Sequence, residues 1–132
     1  MAGEQILIVD DNRTNLKLMR VLLETEGYNV RTATEAGEVF QTLQSAAPRL
    51  ILMDIQLPGI DGLTVTRALK AEPDTKEIPV VGISAHALQE DMQRALEAGC
   101  VAYLPKPLDT RRFRDLVVSL LSGDPEQNAT DR

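Results

Sequence analysis

The distribution of apolar and polar residues along the chain predicts strands and helices in strict alternation. Five short segments have the composition of β-strands, at residues 5–9, 29–33, 50–53, 79–83 and 101–104. Segment 50–53 is apolar at every position, which is the pattern of a central parallel strand covered by helices on both faces. Segment 29–33 alternates apolar and polar residues instead, and this predicts an edge strand.

Between the strands, apolar residues recur at helical spacing. We predict five helices, over residues 13–26, from a cap at Thr34 to a stop at Pro48, over 63–71, over 87–98, and from a cap at Asp109 to residue 121. Their predicted buried faces are, in chain order, Leu16, Met19, Leu22 and Leu23; Ala36, Val39, Phe40 and Leu43; Val65, Ala68 and Leu69; Leu88, Met92, Ala95 and Leu96; and Phe113, Leu116, Val117, Leu120 and Leu121.

Alternating strands and helices predict an α/β fold. We expect a doubly wound (βα)5 arrangement, in which a five-stranded parallel sheet has right-handed crossovers and helices on both faces. The expected strand order is 2-1-3-4-5, which makes the first and third strands neighbours at the point where the order reverses. Ligands and chemistry in such sheets gather at this point, beside the carboxyl ends of the strands.

Composition narrows the class of protein. The 132 residues suffice for one domain, and a formal net charge of −6 argues against direct binding to nucleic acid or to an anionic membrane. The single cysteine, Cys100, excludes an internal disulfide and is expected to be a small buried thiol. No stretch has the length and apolarity of a signal peptide or a membrane span, so we expect a cytoplasmic location.

Polar residues follow four of the predicted strands and supply the candidate chemistry. They are Asp10 and Asp11 after the first strand, Asp54 after the third, Ser84 after the fourth and Lys106 after the fifth. Because the carboxyl ends of parallel strands share one edge of the sheet, we expect these side chains to meet in one crevice.

Three carboxylates in one crevice repel one another and raise one another's pKa unless a cation lies among them. Mg²⁺ prefers such oxygen ligands, and the backbone carbonyl of Gln56 could add another. A lysine ammonium and a serine hydroxyl can contact phosphoryl oxygens, and a carboxylate can act as a phosphoryl acceptor. These groups together predict metal-assisted phosphoryl transfer onto an aspartate.

In this arrangement the chain resembles a response-regulator receiver domain of two-component signalling, of the single-domain, chemotaxis-regulator type. The resemblance covers residues 5–121 and rests on the acidic pair, on Asp54 within MDIQLPGIDG, on Ser84 after VVGI and on Lys106 within YLPKP. It implies a flavodoxin-like fold for a receiver domain at residues 1–122, followed by a polar tail at 123–132 that we expect to be disordered.

The resemblance also implies a role for each site residue. Asp54 would be the phosphoacceptor, with Asp11 a direct Mg²⁺ ligand, Asp10 a ligand partly through water, and the Gln56 carbonyl completing the protein ligands. Ser84 and Lys106 would bind the phosphoryl group. Tyr103 would be a switch residue that turns inward when Ser84 moves, and the peptide bond between Lys106 and Pro107 would be cis.

The expected function is therefore a signalling switch rather than an enzyme acting on an external substrate, although it would catalyse its own phosphorylation and dephosphorylation. The donor would be a histidine kinase or a histidine phosphotransfer protein. Output would pass to a protein partner through helix 4, strand 5 and helix 5, from a monomer or weak dimer. The chain could equally be a receiver fragment of a hybrid kinase or of a multidomain regulator.

Other interpretations remain open for single residues. Asp10, Asp11 and Ser84 could cap helices, Asp54 could be a satisfied loop carboxylate, Lys106 could be a surface amine, and Tyr103 could serve packing alone. His86 is expected to be an exposed residue at a helix start. An aspartyl-phosphate phosphatase is disfavoured because Asp54-Ile55-Gln56 lacks the second acid of a D-x-D nucleophile motif, and no glycine-rich nucleotide motif is present.

Overall fold

Five parallel strands form one sheet in the order β2-β1-β3-β4-β5, which confirms the predicted topology. The computed structural model describes residues 3–45, 47–85 and 89–122. The strands are β1 Gln5–Val9, β2 Asn29–Ala33, β3 Leu50–Asp54, β4 Val80–Ser84 and β5 Ala102–Pro105. The helices are α1 Arg13–Thr25, α2 Ala36–Ser45, α3 Gly62–Ala71, α4 Gln89–Ala98 and α5 Thr110–Leu121.

The core lies in two layers, one on each face of the sheet. Alternate residues of β1 belong to different layers, since Ile6 and Ile8 pack with α1 and α5 whereas Leu7 and Val9 pack with α2, α3 and α4. Every residue of β3 is buried. Burial on both faces explains why this strand is a continuous apolar run, and each large side chain buried there contributes about 1.5–3 kcal/mol.

Local capping starts three of the helices. The side chain of Asn12 accepts the Asn15 N–H at the start of α1, Asp61 accepts the Thr64 N–H before α3, and Asp109 caps α5 as predicted. The cap predicted at Thr34 is wrong, because α2 begins two residues later, at Ala36. The Thr34 hydroxyl and N–H instead both donate to the Glu38 carboxylate, at 2.8 and 2.6 Å.

Some predicted buried faces are wrong for α2, α3 and α4. Phe40 and Met92 are each 41% exposed, Leu96 is 49% exposed, and Ala68 also faces solvent. Helix α4 contacts the sheet through the small residues Ala95 and Ala98, so its larger apolar residues project outward. In α3 the polar residue Thr66 is buried, whereas Ala68, which was predicted to be buried, is not. The correct faces follow from where each helix lies on the sheet, which helical periodicity does not specify.

Strand and helix ends differ from prediction by one or two residues. β5 begins at Ala102, β4 begins at Val80, and α3 begins at Gly62. Cys100 is buried as expected. The predicted first turn of α4, His86 and the tail at 123–132 lie outside the described residues. Within the described part of the chain, no helix has the length and apolarity to cross a membrane.

Candidate functional site

The carboxyl ends of β1 and β3 bring three aspartates together. The register pairs Val9 with Met53, so Asp10 and Asp54 follow at neighbouring positions. Carboxylate oxygens of Asp10, Asp11 and Asp54 all lie within 4.8 Å of one another. Asp10 is fully buried and Asp54 is 2% exposed, whereas Asp11 faces solvent. The predicted acidic cluster is therefore present at the edge where the topology placed it.

Lys106 reaches this cluster from the end of β5. Its Nζ lies 3.1 Å from Asp10 Oδ2 and 3.4 Å from Asp54 Oδ2. Its backbone N–H donates to the Ser84 carbonyl at 2.7 Å, and the peptide bond to Pro107 is cis, the geometry predicted from the sequence. Burial disfavours the ammonium, but the two aspartates outweigh it and raise the Lys106 pKa.

Burial dominates the electrostatics of Asp54. Burial raises the pKa of this carboxyl and the neighbouring charge of Asp10 adds to the increase, so that the pKa is about 6 rather than 3.8. The Gln56 N–H, which donates to Asp54 Oδ1 at 3.0 Å, and the Lys106 ammonium both act in the opposite direction. Ionisation of Asp54 therefore costs more free energy in the folded chain than it does in water.

The donor set fits a hard divalent cation. Three carboxylates face a single ammonium, which leaves negative charge in a mostly buried crevice. Asp10 Oδ1 accepts the Asn12 N–H at 2.8 Å. Asp10 Oδ2 forms the ion pair with Lys106 but accepts no hydrogen bond of good geometry among the residues that the structure describes. Oxygen ligands with this unmet negative charge suit Mg²⁺.

The remaining predicted site residues are Ser84, Tyr103 and Gln56. Ser84 is buried at the end of β4, opposite Pro105 of β5. Tyr103 is buried in the layer that contains α2, α3 and α4, so its ring is already inward in this structure, and its role as a switch stays a prediction. The Gln56 side chain is exposed, and its Oε1 accepts the Ala85 N–H at 3.4 Å.

Sequence reasoning missed one close contact at this site. Gly62, the first residue of α3, is buried, and its N–H donates to the Ile55 carbonyl at 2.7 Å. The available signal was a glycine directly after a helix-capping aspartate, at a helical position where glycine is less favourable than most residue types.

Comparison with known proteins agrees with this geometry. Residues 6–118 match the family described as the response regulator receiver domain. The chain belongs to this family. Receiver domains are phosphoacceptor switches of two-component signalling that bind Mg²⁺ in an acidic pocket and interact with histidine kinases and downstream partners.

Similar proteins include both whole regulators and kinase domains. This receiver domain is 40% identical over 121 residues to the polar-differentiation response regulator DivK of Brucella anthropi, covering 92% of this chain and 98% of that protein. The receiver domain of a Pseudomonas aeruginosa sensor histidine kinase, solved with a magnesium ion coordinated in its active site cleft, is 30% identical, with a TM-score of 0.83 over 92% of this chain and 100% of that one. A signal receiver domain from a Syntrophus aciditrophicus histidine kinase is 32% identical, with a TM-score of 0.85 and 93% of both chains covered.

Proposed function

We propose that the chain accepts a phosphoryl group on Asp54 from a phosphohistidine of a histidine kinase or histidine phosphotransfer protein. The observation that supports this most is the position of Asp54, a nearly fully buried carboxylate between the acidic pair and the Lys106 ammonium.

In the proposed reaction, Asp54 Oδ2 attacks the phosphorus while the Gln56 N–H holds Oδ1. The bond from phosphorus to the donor imidazole nitrogen breaks, and its electron pair returns to that nitrogen. The Lys106 ammonium and the Ser84 hydroxyl are assigned to the phosphoryl oxygens. Mg²⁺, held by Asp10, Asp11, Asp54 and the Gln56 carbonyl, would neutralise charge on the carboxylates and the phosphoryl group.

The chain would return to its resting state by hydrolysis of its own acyl phosphate. Each cycle consumes one donor phosphoryl group and one water molecule and acts on no other substrate, so we propose a switch that catalyses only its own phosphorylation and dephosphorylation. A D-x-D phosphatase would carry an acid at position 56, where this chain has the exposed Gln56.

Mapping the labelled residue tests the proposed acceptor. Incubation with acetyl phosphate and Mg²⁺ should form a labile acyl phosphate, and borohydride reduction should convert the modified aspartate to homoserine at position 54 alone. Parallel samples with EDTA should show little product. Homoserine at another position, or label that withstands base, would contradict the assignment.

Output is proposed to occur through the surface of α4, β5 and α5. Phosphorylation adds negative charge that Ser84 and Lys106 can contact, and both lie at strand ends next to this surface. Met92, Leu96 and Val101 expose 41–49% of their surfaces there. These exposed apolar side chains offer the kind of contact that a protein partner could cover.

The surface assignment is tested by Leu96→Glu. We expect this exposed substitution to leave acceptance of label and thermal stability near those of the original chain, since Leu96 is far from full burial. Binding of a partner that recognises the phosphorylated form should weaken at least about tenfold. Val21→Glu, at a similarly exposed apolar residue of α1, is the matched control, and equal losses in both variants would contradict the assignment.

A further inference from the structure

Gly62, the first residue of α3, lies in close contact with the backbone carbonyl of the proposed phosphoacceptor, Asp54. A Cβ added at Gly62 would lie 2.2 Å from the Asp54 carbonyl oxygen and 2.9 Å from the Ile55 Cα, whereas real Cβ atoms essentially never come closer than 3.0 Å. The atoms that would be struck belong to the backbone, so they cannot give way as a flexible side chain would. Only glycine fits at this position without moving the acceptor strand.

Glycine is required at position 62 because there is no room for a Cβ, and not because of its backbone conformation. Gly62 is absent from the four glycines with positive φ among the described residues, which are Gly3, Gly27, Gly59 and Gly99. Gly37, near the start of α2, provides a contrast because a Cβ there would meet only the Glu35 carboxylate, at 3.6 Å. Two helices thus each carry a glycine in their first turn, but only α3 requires one.

Hydrogen bonds hold Gly62 and the acceptor strand together from both sides. The Gly62 N–H donates to the Ile55 carbonyl, and the Ile55 N–H donates to the Ile83 carbonyl of β4 at 2.9 Å. The Gly62 carbonyl accepts the hydroxyl of the fully buried Thr66 at 2.8 Å. The segment that carries the Asp54 carboxylate is therefore fixed between β4 and the N-terminus of α3.

We propose that Gly62 is a positioning residue for the phosphoacceptor. By allowing α3 to contact the Asp54 carbonyl directly, it sets the direction in which the Asp54 carboxylate points and places the Gln56 N–H on Oδ1. This inference rests on the proposed role of Asp54 as acceptor. A methyl group at residue 62 would displace the reacting carboxylate by about 1 Å, and misplacement of that size lowers reaction rates about 100-fold.

The test compares Gly62→Ala with Gly37→Ala, which makes the same substitution in an equivalent helical turn. Labelling by acetyl phosphate is followed at saturating donor and Mg²⁺, at a temperature where amide spectra show both variants fully folded. We expect the maximal rate to fall about 100-fold for Gly62→Ala and to stay within about twofold for Gly37→Ala. Equal maximal rates in the two variants would overturn the inference.

A second readout does not depend on phosphorylation. The Gln56 amide proton is bonded to the Asp54 carboxylate, so its chemical shift should change in Gly62→Ala and not in Gly37→Ala. If the original chain and Gly37→Ala were not labelled at Asp54, the proposed acceptor would be wrong. The Gln56 chemical shift would still show whether Gly62 sets the position of the Asp54 carboxylate. An unchanged Gln56 resonance in Gly62→Ala would overturn it.

Thr66 supplies a gentler change in case Gly62→Ala does not fold. Thr66→Val removes the hydroxyl that holds the Gly62 carbonyl while keeping nearly the same volume. We expect a smaller loss of labelling rate and a smaller change in the Gln56 shift, both in the same direction, with Thr66→Ser closer to the original chain. If Thr66→Val matched the original chain in both measurements, the inference would fail.

Discussion

Asp54→Asn should abolish labelling by acetyl phosphate while leaving the chain folded. The carboxylate is the proposed nucleophile, and a carboxamide cannot take its place. The asparagine oxygen can still accept the Gln56 N–H that now bonds Asp54 Oδ1 at 3.0 Å, so local structure should survive. The measurement is the amount of acid-stable, base-labile label after incubation with donor and Mg²⁺.

Asp61→Asn is the matched control for this variant. Asp61 lies in the same loop but is exposed, and it caps α3 through an oxygen that asparagine also has. We expect Asp61→Asn to be labelled at the original rate. Wild-type labelling of Asp54→Asn would mean that another residue is the acceptor.

Removing the buried charge should also stabilise the folded chain, by about 3 kcal/mol at pH 8 without Mg²⁺. Burial and the Asp10 charge raise the Asp54 pKa from 3.8 to about 6, and this increase corresponds to about 3 kcal/mol of cost for the ionised form. Asparagine resembles the neutral form and avoids the cost. The free energy of unfolding in urea, measured in EDTA, should therefore be higher for Asp54→Asn.

The pH dependence follows from the direction of the pKa change. Between pH 4 and pH 6 the folded chain binds more protons at Asp54 than the unfolded chain does, so this group lowers stability as pH rises. The difference in unfolding free energy between Asp54→Asn and the original chain should be small near pH 4 and reach its maximum above pH 7. A difference that stays constant from pH 4 to pH 8 would contradict this account.

Mg²⁺ should offset part of the free-energy cost of the ionised Asp54 carboxylate. An ion that binds only the folded state stabilises it by mass action, and here it would also offset the repulsion among the three aspartates. Millimolar Mg²⁺ should raise the melting temperature of the original chain and have a smaller effect on Asp54→Asn. An Asp10→Asn and Asp11→Asn double variant should lose the effect, and an unchanged response would count against the proposed ligand set.

Local sequence determined the elements, their order and the position of the candidate site. The run at 50–53 is typical of a central strand that is buried on both faces, and such a strand places Asp54 at its end, next to Asp10. The cap at Asp109 was also predictable, because a capping hydrogen bond forms between residues two or three positions apart. These features depend on short-range rules that a single sequence carries.

Tertiary structure decided how the helices lie on the sheet. Periodicity predicted that Met92, Ala95 and Leu96 form one buried face of α4, but Met92 and Leu96 are exposed, and the helix is buried through Ala95 and Ala98. Phe40 is exposed for the same reason, since α2 is buried through Ala36 and Val39. The width of a helix contact depends on the partner surface, about which the helix sequence carries no information.

Tertiary structure also decided the chemical state of the site. The sequence indicated that carboxylates and a lysine would meet, but the raised pKa of Asp54 depends chiefly on its burial, and the position of Lys106 between Asp10 and Asp54 depends on the separation of β1, β3 and β5. The space that excludes a Cβ at Gly62 arises from the approach of α3 to β3. Desolvation, charge separation and close packing are all set by distances between segments remote in sequence, so they exist only once the chain has folded.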